Sequence, residues 1–87
     1  MRILIVDDDR ALREALRRAL TLAGYETETA AGGAEALAQV GVRVPDAIVL
    51  DVGMPEVDGL EVCRRLRAGG DRVPVLMLTA RDAIEDR

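Results

Sequence analysis

Four acidic residues follow directly on short aliphatic runs. Ile3-Leu4-Ile5-Val6 leads into Asp7-Asp8-Asp9, and Ala47-Ile48-Val49-Leu50 leads into Asp51. A further run, Val75-Leu76-Met77-Leu78, ends in Thr79. Aliphatic runs without alternation read as strands buried on both faces of a parallel sheet. In open α/β sheets, ligands bind beyond the carboxyl ends of the strands. With the first and third strands as neighbours, Asp7, Asp8 and Asp51 meet in one crevice. Carboxylates held that close repel and raise one another's pKa unless a cation sits among them. The donors are all oxygens, with no His or Cys nearby, so the expected ion is hard: Mg²⁺ ahead of Ca²⁺. Such a site leaves positions open for phosphoryl oxygens and presents one carboxylate as a nucleophile. Thr79 is then placed to donate its hydroxyl to a phosphate on that carboxylate.

A single Asp after a strand is ordinarily a turn residue or a helix cap, and Asp9 fits the cap. Asp7, Asp8 and Asp51 taken together do not, because three acids at two inner strand ends serve no packing purpose. Thr79 gains its weight only from those three.

Composition removes other chemistries. The chain has 87 residues, 49% apolar and 32% charged, which makes one small globular domain. It contains no His, so His-based metal sites, Ser-His-Asp triads and imidazole switches are excluded. Its 12 basic residues are all Arg, so no side-chain amine is available. One Tyr and no Phe or Trp leave no stacking platform for single-stranded nucleic acid. A net charge of −4 makes the domain by itself a poor DNA binder, and no direct DNA contact is expected from it. Cys63 is alone and has no metal-ligand spacing around it. The apolar runs are far too short for a membrane span and the N-terminal run is no signal peptide, so no membrane contact is expected and the default compartment is the cytoplasm.

The elements that must position the acids follow from the pattern between the runs. Residues 25–29 (Tyr-Glu-Thr-Glu-Thr) alternate and carry charge, as an edge strand does. Asp9 caps a helix through about Ala23, with Leu12, Ala15, Leu16, Ala19 and Leu20 as its inward stripe and Gly24 as its stop. Residues 33–40 form a second, Ala-rich helix ending near Gly41. Asp58 or Gly59 opens a third, with Leu60, Val62, Cys63 and Leu66 inward, and Gly69-Gly70 ends it. The order β-α-β-α-β-α-β implies an α/β fold with a doubly wound parallel sheet. In the loop after Asp51, Pro55 fixes φ and Gly59 suits a tight entry to the third helix.

Residues 51–59 (D-V-G-M-P-E-V-D-G), with I-L-I-V-D-D-D at 3–9 and V-L-M-L-T-A-R at 75–81, resemble the receiver domain of two-component response regulators. In style the chain is most similar to receivers of the winged-helix transcription-factor class. The resemblance implies an incomplete flavodoxin-like sheet of order 2-1-3-4 with three helices. It makes Asp51 the phosphoacceptor, taking a phosphoryl group from a phosphohistidine of a sensor histidine kinase to control an output domain outside this chain. Asp8 would hold Mg²⁺ directly and Asp7 largely through water, with Asp51 and the backbone carbonyl of Gly53 as further ligands. Thr79 would turn toward the acyl phosphate, and Ala80 would be small enough to leave it accessible. This is a switch, not an enzyme.

The chain departs from the family pattern in having no Lys and in ending where a fourth helix is expected, so residues 1–87 read as a truncated receiver. Val75–Leu78 then becomes an aliphatic edge, which predicts a homodimer or higher oligomer through the fourth strand. Two alternatives stand beside this reading. One is a scaffold that keeps the Mg²⁺ site but does not signal. The other is a phosphatase similar to the haloacid-dehalogenase type, for Asp7-x-Asp9 resembles that nucleophile motif; against it, that family needs a Lys and has no place for the 51–59 loop.

Overall fold

The computed structural model describes residues 1–54 and 57–78. Strands β1 (Arg2–Val6), β2 (Glu26–Ala30), β3 (Ala47–Asp51) and β4 (Val75–Leu78) alternate with helices α1 (Arg10–Leu22), α2 (Gly33–Val42) and α3 (Gly59–Ala68). The four strands form one parallel sheet in the order β2-β1-β3-β4. The expected order and helix number hold. The jump from β2 across β1 to β3 puts the carboxyl ends of β1 and β3 side by side, with Val6 opposite Leu50.

Strand residues alternate between the two faces of the sheet. Leu4, Val6, Ile48 and Leu50 point to one face and are sealed by Ala36 and Val40 of α2 and Val62 and Leu66 of α3. Ile3, Ile5, Ala47 and Val49 point to the other face, which α1 covers only over β1 and β2. The core therefore lies on the α2–α3 side. β2 alternates Glu and Thr as an edge strand should, and Ala30 is its one fully buried residue. At the opposite end of the sheet from the acids, the buried Arg2 guanidinium donates to the Val44 carbonyl at 2.8 Å and pairs with Glu28.

Two expected packing faces are corrected. No residue of α1 is fully buried: Leu16 and Leu20 are half-buried, whereas Ala15, Ala19 and Leu12 are exposed. The helix leans over β1 and β2, so one flank of its apolar stripe faces a shallow groove of about 310 Å³ bordered by Ile3, Leu20, Tyr25, Val49 and Leu76. Leu60 also points outward, 60% exposed. It lies two positions before Val62, roughly 200° around the helix from the Val62–Leu66 stripe. Cys63 is half-buried at the margin of that stripe.

Candidate functional site

The β1 end is set by a chain of local hydrogen bonds. The Asp7 amide still donates to the Ala30 carbonyl at 3.2 Å, which keeps the residue in line with the strand. The chain then turns, and the Asp9 amide donates to Asp7 Oδ1 at 2.9 Å. Asp9 Oδ1 accepts from the amides of Ala11 and Leu12 at 3.0 and 3.2 Å. Asp9 is thus the helix cap, as its position predicts, and the start of α1 holds the acidic turn in place.

Asp51 ends β3, paired with Leu78 of β4. The Gly53 amide donates to Asp51 Oδ1 at 3.1 Å, closing a short turn over the carboxylate. The Val52 amide donates to the Leu78 carbonyl and the Gly59 amide to the Val52 carbonyl, both at 3.2 Å. A β-carbon at Gly59 would lie 2.7 Å from both the Asp51 carbonyl oxygen and the Val52 Cα, so only glycine admits this approach of α3 to the end of β3. Asp58 caps α3 by accepting from the Glu61 amide at 2.9 Å. Met54, buried to 3% exposure, anchors the loop in the core.

One oxygen from each of Asp7, Asp8 and Asp51 lies within 4.8 Å of the others, so the three predicted acids come together. They differ in setting: Asp7 is buried, Asp8 exposed and Asp51 in between. Asp7 is 1% exposed, and its Oδ2 is a buried oxygen with no hydrogen-bond partner among the described residues. Burial pushes the Asp7 carboxyl above its ordinary value, and the charges of Asp51 and Asp8 push it the same way, against the Asp9 amide. A buried, unpartnered carboxylate oxygen beside two further carboxylates is costly without a counter-charge. A hard divalent cation removes that cost, and an all-oxygen donor set is the one such an ion takes. The residues present therefore fit a divalent cation.

Gly59 makes the tight entry to α3 that its position predicts, and Gly53 meets Asp51 through its amide. Pro55, Thr79 and Ala80 lie outside the described residues. Two contacts near the site were not foreseen from the sequence. Arg13 donates from a terminal guanidinium nitrogen to the Asp7 main-chain carbonyl at 2.9 Å. Gly33, at the start of α2, sits so close to the Val57 carbonyl and to Val62 that a side chain there has no room. Arg13 stands in the fourth position after the cap Asp9, a spacing that returns it to the same helix face, but nothing in the sequence says which acceptor it finds.

An open parallel α/β sheet of order 2-1-3-4, with three carboxylates gathered at its two inner strand ends, defines a flavodoxin-like domain with a candidate cation site. The response regulator receiver domain family matches residues 3–87, and the chain belongs to that family of two-component signalling domains. It is 60% identical over 87 residues to response regulator MprA of Mycobacterium avium (strain 104) and 61% identical to that of Mycobacterium leprae (strain TN). In both cases the match covers 100% of this chain, and the chain spans only 38% of the relative's length. Among solved structures, the receiver domain of Francisella response regulator 1452 superposes with a TM-score of 0.89 at 32% identity, covering 98% of this chain and 70% of that one. Response regulator TrrA of Thermotoga maritima, solved in complex with Mg(2+)-BeF, gives 0.81 at 34% identity, covering 98% and 76%. The family found is not that of the phosphatase alternative.

Proposed function

We propose that this chain is the phosphoacceptor switch of a two-component system, with Asp51 as the acceptor and Mg²⁺ as the required ion. The observation that carries the reading is the convergence of Asp7, Asp8 and Asp51 within 4.8 Å, with a buried, unpartnered oxygen on Asp7. Asp7, Asp8 and Asp51 would hold the ion, joined by the carbonyl of Gly53. When bound, the ion neutralises the gathered carboxylates and the negative charge of an incoming phosphoryl group.

The acceptor role falls to Asp51. Asp7 is buried and Asp8 belongs to the turn that starts α1, whereas Asp51 lies at the end of β3, half exposed, with the Gly53 amide on one oxygen. An Asp51 carboxylate oxygen forms the O–P bond as the P–N bond of a phosphohistidine breaks, and the imidazole nitrogen departs with the bonding pair and takes up a proton. The donor is a sensor histidine kinase, the partner that the family resemblance implies. Thr79 and Ala80 follow β4 directly, and their assignment to the phosphate rests on the V-L-M-L-T-A-R motif. The switch acts in the cytoplasm on an output domain, and the similarity to MprA supports a transcriptional output. The partner set includes a second copy of the chain, through the β4 edge.

Phosphoramidate, whose P–N bond stands in for phosphohistidine, tests the reading. Uptake of one phosphoryl group in Mg²⁺, abolished by a chelator, is expected. Uptake that is indifferent to the chelator would contradict the cation's role.

A further inference from the structure

We infer that Arg13 is a positioning residue for the acidic site, acting through Asp7. The inference rests on the cation-site reading above and deepens it. Asp7 is held from two sides. The Asp9 amide donates to its Oδ1 at 2.9 Å, and the Arg13 guanidinium donates to its main-chain carbonyl, also at 2.9 Å. The first contact fixes the carboxylate's rotation, and the second fixes the peptide that carries it. Among the described residues, only Oδ2 is left without a partner. It is the atom that a ligand role requires.

Two features separate this from ordinary satisfaction of a strand-end carbonyl. Arg13 reaches back six residues, from the second turn of α1 to the last residue before the turn, so it locks the helix to the strand end that carries the site. Arg17, one turn further along α1, instead makes a surface pair with Glu14. The contact also acts by geometry. The guanidinium holds the main-chain carbonyl of the residue whose side chain carries the unpartnered Oδ2. Partners that orient a metal ligand from behind typically set metal affinity by about ten- to a hundredfold.

The test compares Mg²⁺ affinity, by isothermal titration calorimetry, and thermal stability in chelator for the native chain, Arg13→Ala, Arg13→Gln and Arg13→Lys. Lys reaches to the distance of the guanidinium carbon, whereas Gln ends two bonds short of the donating nitrogen. The expected result is a loss of Mg²⁺ affinity of about tenfold or more in the Ala and Gln variants. Arg13→Lys should recover most of it. Should Arg13→Ala not fold, the Gln and Lys pair gives the same comparison. Variants with lowered melting temperature but native Mg²⁺ affinity would make Arg13 merely structural and overturn the inference alone. A native chain that takes up no Mg²⁺ would overturn the cation-site reading and this inference with it.

Discussion

At the scale of single residues, Asp7 carries the strongest physical statement. Its folded-state pKa lies above the ordinary 3.8, first because it is buried and then because Asp51 and Asp8 are near. A carboxyl raised on folding contributes stability that is fully present below the unfolded pKa and lost as pH rises through the folded one. At pH 7 without a divalent cation, the Asp7 carboxylate therefore works against the fold. Asp7→Asn is expected to raise the melting temperature of the chelator-treated chain at pH 7 by several degrees, about 1 kcal/mol corresponding to ~4–8 °C for so short a chain. The gain should fade as pH approaches 3, and Mg²⁺ should stabilise the native chain far more than the variant. Circular dichroism melts across pH, with and without Mg²⁺, measure both; a destabilised variant at pH 7 in chelator would contradict the account. The acids themselves were legible in the sequence, because chemistry follows from residue type and from position after a strand. Which of them is buried was not, since Asp7 and Asp8 are adjacent and differ only in the direction the turn gives them.

At the scale of elements, the join of β3 to α3 depends on a close backbone approach at Gly59, beside the buried Met54 and the Asp58 cap. Gly59→Ala forces a β-carbon against the Asp51 carbonyl and the Val52 Cα, neither of which is the end of a flexible side chain. The substitution is expected to cost about 1–3 kcal/mol in denaturant unfolding and to weaken Mg²⁺ binding through Asp51. Unchanged stability would show that α3 can back away from the strand. The surface of α3 offers a prediction of opposite character. Hydrogen bonds from Arg64 and Arg65 hold the Glu61 carboxyl down to about 2, against an ordinary 4.5. A depressed carboxyl contributes stability above its unfolded pKa that is lost as pH falls through the folded one, here between roughly 4.5 and 2. The Glu61 carboxyl carbon, followed by NMR, should titrate near 2 in the native chain and move back toward 4.5 in Arg64→Ala. A native midpoint near 4.5 would show that the pair is open in solution. Strand and helix bounds were readable to within a residue or two from aliphatic runs, caps and glycines. The stripes on α1 and α3 were less so: helical periodicity lists which apolar residues share a face, but which flank of that face meets the sheet depends on how the helix leans.

For the whole molecule, the sheet is unevenly covered. Among the described residues, the α2–α3 side encloses the core, whereas the α1 side leaves the face of β3 and β4 open, with Leu76 62% exposed. Among the described residues β4 pairs only with β3. An aliphatic edge beside an apolar face is a template for association. The 87-residue chain is therefore expected to self-associate, with a mass by light scattering that rises with concentration and falls in Leu76→Lys. A monomer throughout the micromolar range would contradict this. The sheet order and the site at its centre were legible because right-handed crossovers and three jointly specific motifs leave few topologies open. The covering of the sheet was not, since it depends on where helices settle across the width of four strands.

The central claim is that Asp51 accepts a phosphoryl group beside a cation held by Asp7 and Asp8. It is tested most directly by the intact mass of the native chain and of Asp51→Asn after incubation with acetyl phosphate and Mg²⁺. The account predicts one phosphoryl adduct on the native chain and none on the variant, both chains being folded by circular dichroism. An adduct that persists in Asp51→Asn, or a folded native chain that takes up none, would contradict it.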